Sequence, residues 1–266
     1  MCSCLGKILE KIVAAQLSRY LRDNELLDHS QHGFRTGFST LTNHLVTDAY
    51  LARLASSGHS YDVITFDFAK AFDKAPHQAV INALADHGIT GTALMWFSSF
   101  LSGRTQQVRV GDAYSPTTDV LSGVVQGSVV GPVLYTIFVD SLHRKLHFPH
   151  AGFADDIKFI ADVTMHTAAE VQSQIDVVVD WSEDHETPLS ISKCDVLHCG
   201  EQNPCHNYVI KDLPLTVVNS LKDLGIMRTK SVAHSGHYSE HYQSIVSEAA
   251  KVAGSIRHIF RSKARD

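Results

Sequence analysis

The sequence predicts a mixed helix-and-strand domain, of the α+β or α/β class. Three observations carry that expectation: several segments place apolar residues at helical spacing, short strand-like runs fall between them, and no fixed repeat period links them. The 266 residues suffice for one large domain or two closely packed subdomains. A hydrophobic share of 44% and a charged share of 19% are ordinary for a globular protein.

The elements follow in order. Residues 6–22 place Ile8, Leu9, Ile12, Val13, Leu17 and Leu21 on one helical face. After a polar connection, Thr40 is the expected cap of a helix over 40–55, ended by Ser56-Ser57-Gly58. Residues 61–68 read as a strand with Asp67 near its C-terminal end. Pro76 and Gly88 bracket a helix over 78–87. A third aromatic-rich helix spans 92–101, and 106–110 alternates as a strand before a Gly111-Asp112 turn. A helix follows Pro132 to about residue 145, and 152–161 reads as a hairpin around Asp155-Asp156. Beyond it come a helix over 168–181, a strand over 189–199, short strands within 215–227 and a last helix over 237–260.

Residues 120–139 carry no charge and space Gly123, Gly127 and Gly131 four apart, which is the length and pattern of a membrane span. Ser122, Gln126, Ser128 and Pro132 interrupt it, and no basic flank or aromatic belt marks its ends. A turn leading into a buried helix is the better reading. No apolar leader opens the chain, and five cysteines form no even framework. An intracellular, reduced protein is expected, with nucleus and cytoplasm equally open. The net charge of −5 argues against an evenly basic surface. From residue 228 onward, however, Lys and Arg outnumber Asp and Glu, so this end is the candidate for facing a phosphate backbone.

The chemistry-bearing residues are two acidic stretches. Asp67 stands where a strand ends, and a rigid element there presents its carboxylate beside the Phe68 carbonyl. Both are hard oxygen ligands suited to Mg²⁺. An Asp at such a place also serves as a helix N-cap. Asp155 and Asp156 are adjacent carboxylates, which repel unless solvated or bridged by a cation. Neighbouring side chains in a hairpin point to opposite faces, so Asp155 is the expected main ligand and Asp156 the auxiliary.

Phe66-Asp67-Phe68-Ala69-Lys70-Ala71-Phe72-Asp73-Lys74-Ala75-Pro76-His77 resembles polymerase motif A of non-LTR (LINE-like) retrotransposon reverse transcriptases. Ser122 to Pro132 (SGVVQGSVVGP) resembles their motif B, and Phe153-Ala154-Asp155-Asp156 their motif C. Gly6 to Ile12, Gln31-His32-Gly33-Phe34-Arg35, Ile191-Ser192-Lys193-Cys194 and Leu221-Lys222-Asp223-Leu224-Gly225 match flanking pieces in order. The resemblance implies an α+β fold, the palm of a right-hand polymerase with partial fingers (1–60), the palm itself (61–227) and a C-terminal basic helix that starts a thumb (228–266). It implies RNA-directed DNA polymerisation, with an RNA template, a DNA primer and dNTPs as partners and no membrane. Asp67, Asp155 and Asp156 with the Phe68 carbonyl would hold two Mg²⁺ ions, for which Mn²⁺ is a substitute. Phe72 would gate against a ribose 2′ hydroxyl, Gln126 and Gly127 would lie beside the incoming nucleotide, and Lys193 would be a proton donor to pyrophosphate. Leu224 and Gly225 would form the primer grip.

The departures from the pattern matter too. The chain opens after the family's first fingers motifs, Val125 stands where the family has proline, and Glu186-Thr187-Pro188-Leu189 replaces a more usual Asn-Gly-Leu. The last change is expected to distort the approach to Lys193. A truncated, catalytically impaired nucleic-acid-binding remnant is therefore the alternative. An aspartyl phosphotransferase needs two aspartates two positions apart, which Asp67-Phe68-Ala69 does not supply, and RNA replicase palms favour Gly where Ala154 stands.

Overall fold

The structure is a computed structural model that describes residues 4–230 and 239–262. Helices α1 (Cys4–Asp23) and α2 (Thr40–Ser56) precede β1 (Tyr61–Phe66). The short turn α3 (Ala71–Lys74) leads to α4 (His77–Asp86) and α5 (Gly91–Leu101). Two small ribbons follow, made of β2 (Thr105–Gln106), β3 (Arg109–Val110), β4 (Ala113–Tyr114) and β5 (Thr118–Asp119). Then come α6 (Gly131–His143), the hairpin β6 (His150–Phe153) and β7 (Asp156–Asp162), and α7 (Ala168–Asp184). A 3-10 turn (Ile191–Lys193) precedes β8 (Asp195–Cys199). The chain continues through β9 (Val209–Ile210), β10 (Leu213–Pro214), β11 (Thr216–Val217), the hairpin β12 (Ser220–Asp223) and β13 (Ile226–Thr229), and α8 (Ser239–Ser262).

Five strands form the central sheet in the order β11-β8-β1-β7-β6, and only the β11–β8 pair is parallel. Its two faces are covered unequally. Ile64, Phe66, Ile157, Phe159, Ala161 and Val196 point into the main core with α1, α4, α6 and α7. Tyr61, Val63, Ile160, Leu197 and Cys199 point the other way into a smaller core closed by Leu51 and Leu54 of α2 and by Leu221. Burial on both faces is why apolar residues stand side by side in β1, as at Val63-Ile64, and why Asp62 within it is bonded to His198, Asn203 and Tyr208. On the second face the side chains turn polar toward the C-terminal end of β1. Thr65, Lys158 and Asp195 follow Val63, Ile160 and Leu197 in register. That uncovered end of the sheet is where the acidic stretches lie.

Local chemistry explains the borders. Ser39, not Thr40, caps α2: its hydroxyl accepts from Thr42 N–H at 3.2 Å and Thr42 Oγ1 accepts from Ser39 N–H at 2.8 Å. Thr167 and Glu170 make the same reciprocal pair at the start of α7. Pro132 sits in the first turn of α6, so the uncharged stretch is an irregular segment followed by a buried helix. Among the described residues no helix is long and apolar enough to cross a membrane.

Three expectations need correction. The strand expected over 189–199 begins only at Asp195, because Ser190 and Ile191 close a 3-10 turn first. The strand expected over 106–110 is split between two exposed ribbons. Arg228, counted with the basic end, lies within β13, is fully buried and belongs to an ion network, so the boundary at 227/228 cuts a strand. Part of the last expected helix, residues 237–238, lies outside the described residues; the remainder is α8.

Candidate active site

Asp67 follows directly on β1. Its carbonyl accepts from Ser190 N–H at 2.7 Å, and Ala69 N–H donates to the Pro188 carbonyl at 2.7 Å. Those bonds extend the strand past Phe66, with Phe68 opposite Leu189. Asp67 is therefore a strand residue rather than a helix cap. Backbone groups alternate sides along a strand, so the Phe68 carbonyl faces the opposite edge, toward the β6–β7 turn. After Glu186-Thr187-Pro188-Leu189 the chain brings Lys193 Nζ to 3.1 Å from Asp67 Oδ2. That oxygen is buried and has no hydrogen-bond donor, so the lysine makes an ion pair outside hydrogen-bond geometry.

The turn of the hairpin is Ala154-Asp155, with Ala154 in the left-handed region at φ 60°. Asp156 opens β7. The Phe66–Ile157 pair puts Asp156 one step further along, opposite Asp67 and on the same face. A cleft of about 240 Å³ lies there, lined by Asp67, Asp156, Lys158, Lys193, Asp223 and Leu224. Asp156 thus faces the cleft with Asp67, and Asp155 sits half-buried in the turn beside it, within reach of the Asp67 and Lys193 charges. Burial raises the Asp155 carboxyl pKa, and the Asp67 charge adds to the rise while Lys193 opposes it. Asp156 is exposed at its surface, but desolvation by the protein around the cleft pushes its carboxyl up to about 6, reinforced by the charges of Asp155, Asp67 and Asp223. Three carboxylates thus sense one another across the end of the sheet.

The donor chemistry fits a hard divalent cation: a buried Asp67 oxygen that accepts no hydrogen bond and has only the Lys193 ammonium beside it, and two further carboxyls, Asp155 and Asp156, whose pKa values burial and the Asp67 charge raise. Among the described residues no group of three or more His, Cys, Asp or Glu side chains stands close enough together to hold a metal ion by itself. Mg²⁺ uses one or two carboxylates and takes its other ligands from water and phosphate.

Of the remaining predicted residues, Leu224 lines the cleft itself. Phe72 stacks on Tyr135 at 4.4 Å between ring centres and meets Phe34 edge-on at 5.9 Å. Val124 N–H donates to the Phe72 carbonyl and Gly123 N–H to the Ala75 carbonyl, both at 2.8 Å, so the segment before α6 is strapped along α3. Gln126 Nε2 donates to Asp73 Oδ1 at 2.7 Å, and Gly127 sits at φ 76° with open space around it. Leu224 (φ 44°) and Gly225 (φ 91°) form the two-residue turn of β12–β13, whose positive φ angles match the twist of a tight hairpin.

Sequence reasoning missed two features. Lys158 Nζ donates to both Asp223 oxygens at 2.6 Å and to Asn43 Oδ1 at 2.7 Å. Arg228 Nε donates to Asp223 at 2.6 Å, and its guanidinium also meets Asp48 and His44. The signal available was a lone lysine inside the apolar run Ile157-Lys158-Phe159-Ile160, where a buried charge demands a partner. The second is Tyr135, fully buried with an unpartnered hydroxyl. Burial, then the charges of Asp155 and Asp156, hold its pKa well above the usual phenol range.

Comparison with solved structures places the fold. Telomerase from Candida Tropicalis, in complex with a TWJ fragment of telomeric RNA, superposes with a TM-score of 0.59 at 11% identity, covering 86% of this chain and 36% of that one. Telomerase from Candida albicans, in a like complex, gives 0.57 at 12% identity, covering 83% and 37%. The sheet with its backing helices and terminal carboxylates is a palm-like polymerase fold. The model of the family described as reverse transcriptase (RNA-dependent DNA polymerase) matches residues 1–237, and the chain belongs to that family. It is similar to the RNA-directed DNA polymerase from mobile element jockey of Drosophila melanogaster, 25% identical over 264 residues, which are 94% of this chain and 28% of the relative. The probable RNA-directed DNA polymerase from transposon BS of Drosophila melanogaster is 30% identical over 67% of this chain and 21% of the relative. A Pol polyprotein from the R2 element of Popillia japonica is 29% identical over 60% and 24%. The chain spans about a quarter of the length of these curated relatives.

Proposed function

We propose that this chain is the catalytic palm of an RNA-directed DNA polymerase of a non-LTR retroelement, adding dNTPs to a DNA primer on an RNA template. The observation that supports it best is the convergence of Asp67, Asp155 and Asp156 where β1 meets the β6–β7 turn, with the Leu224–Gly225 turn at the same cleft. Residues 1–60 would serve as partial fingers, 61–227 as palm and the following helix as the start of a thumb.

Asp67, Asp155, Asp156 and the Phe68 carbonyl would hold two Mg²⁺ ions, or Mn²⁺ in their place, which supply charge neutralisation at the primer hydroxyl and the triphosphate. The chain's own part is positioning. Phe72, fixed by its stack on Tyr135, presents a rigid ring where a 2′ hydroxyl would clash. Gln126 and Gly127 border the nucleotide from the segment strapped to α3. Lys193 is exposed and long enough to turn from Asp67 to a leaving pyrophosphate and donate a proton there. The Leu224–Gly225 turn would steady the primer end.

Primer extension on an RNA template with Mg²⁺ and dNTPs tests this reading. Asp67→Ala and Asp155→Ala are expected to lower the rate by about a thousandfold or more, the scale of several kcal/mol of lost charge stabilisation. Retained binding of the RNA–primer hybrid without extension by the unaltered protein would instead identify a binding remnant of the same fold.

A further inference from the structure

Gln31 is completely buried, 123 residues from Ala154 in sequence, and its carboxamide grips Ala154 at both ends of the residue. Nε2 donates to the Ala154 carbonyl at 3.1 Å, and Oε1 accepts from Ala154 N–H at 3.1 Å and from Gly33 N–H at 2.7 Å. The second amide hydrogen is directed at His143 Nε2, 3.3 Å away. Two donors and two acceptor positions are thus all used.

The orientation of that amide is set from a distance. Ser30 Oγ donates to Asp28 Oδ1 at 2.6 Å, because a carboxylate can only accept. Ser30 Oγ must then accept from His143 Nδ1–H, 2.9 Å away. A neutral imidazole with its proton on Nδ1 offers a lone pair at Nε2, which receives the Gln31 hydrogen. The backbone reinforces the grip. Gly152 N–H donates to the Ser30 carbonyl and His32 N–H to the Gly152 carbonyl, both at 2.8 Å, so residues 30–32 run as a parallel bridge along β6. A Cβ at Gly33 would stand 2.4 Å from the Ala154 nitrogen, so only glycine permits this approach.

Ala154 holds a left-handed conformation that a non-glycine residue adopts at a cost. It directly precedes Asp155. We infer that Gln31 is a positioning residue, whose buried carboxamide clamps the left-handed Ala154 and thereby fixes the turn that carries Asp155 and leads Asp156 to the cleft. The catalytic consequence rests on the proposed polymerase reading; the clamp itself does not.

The test uses the full chain and three readouts: amide hydrogen exchange at residues 153–157, calorimetric titration with Mn²⁺, and primer extension. Gln31→Glu keeps the size but removes the donor, and Gln31→Met removes donor and acceptor. In each, exchange at Ala154 is expected to accelerate about tenfold or more, the scale of one or two buried hydrogen bonds. Mn²⁺ affinity should fall by a similar factor, and extension should lose kcat with little change in KM for dNTP. Ser30→Ala, which frees the His143 tautomer without touching the core of the clamp, should give a smaller effect in the same direction, and Ser30→Thr should restore it. Where a Gln31 variant shows no cooperative unfolding, the Ser30 pair decides. Unchanged exchange at Ala154 in the folded variants overturns the inference. Faster exchange in a protein that neither binds Mn²⁺ nor extends primers keeps the clamp and sinks the polymerase reading.

Discussion

Two groups of charges share one face of the central sheet and are built differently. At the open end, Asp67, Asp155 and Asp156 lie near one another with the exposed Lys193 as a nearby cation; desolvation, with neighbouring carboxylate charge adding to it, raises the pKa of Asp155 and of Asp156. Two residues further along β7, Lys158 meets Asp223, Arg228 and Asn43 in a network where positive and negative groups match and almost nothing is exposed. Burial works against ionisation of Asp223, but the Lys158 and Arg228 charges and hydrogen bonds outweigh it and hold its carboxyl below the ordinary range. The balanced group joins α2, β7 and the β12–β13 hairpin. The unbalanced group sits on the rigid platform that results.

The largest effect comes from breaking the balanced group. Asp223→Ala strands two buried cations and is expected to cost about 3–5 kcal/mol of folding stability, measured by urea unfolding. A loss below about 1 kcal/mol would mean that solvent already screens the network, and the contrast between the two groups would disappear.

The opposite sign is expected at the open end. Asp156 has a folded-state carboxyl near pH 6 against an ordinary value of 3.8. The folded protein therefore holds an extra proton between those values, and stability falls as pH rises through that window. Above about pH 6 the whole penalty is present. Asp156→Asn should accordingly stabilise the cation-free protein at pH 8 by about 1 kcal/mol after solvent screening, and by almost nothing at pH 4. Thermal melts at the two pH values check it; equal gains at both would assign the effect to packing instead of charge.

How far each group was legible in the sequence follows from the range of its interactions. The β6–β7 hairpin, Pro132 at the start of α6 and the placement of Asp67 are local matters of pattern and turn chemistry, and the chain shows them. Lys158 and Asp223 are 65 residues apart, and Gln31 and Ala154 are 123 apart. Nothing local marks such partners, although a lysine within an apolar strand signals that one exists. The turn between β6 and β7 is intermediate in kind. Ala154 takes a left-handed backbone, so the register with β1 rather than simple alternation decides that Asp156 shares a face with Asp67.

The smallest expected effect sharpens the comparison most directly, because it asks whether the open end lacks a cation that the buried group already has. A divalent ion binds the ionised carboxylates and competes with the proton on Asp156. About 2 mM Mg²⁺ against a dissociation constant of about 1 mM would add ~0.6 kcal/mol to stability, a rise of about 1–3 °C in Tm. That rise should be present at pH 8, shrink below about pH 6 and be absent at pH 4. It should vanish in Asp67→Asn and persist in Lys158→Met, which leaves the three site carboxylates in place. An equal rise in both variants would mean that the ion binds elsewhere, and the repulsion at the end of the sheet would then have no cation to relieve it.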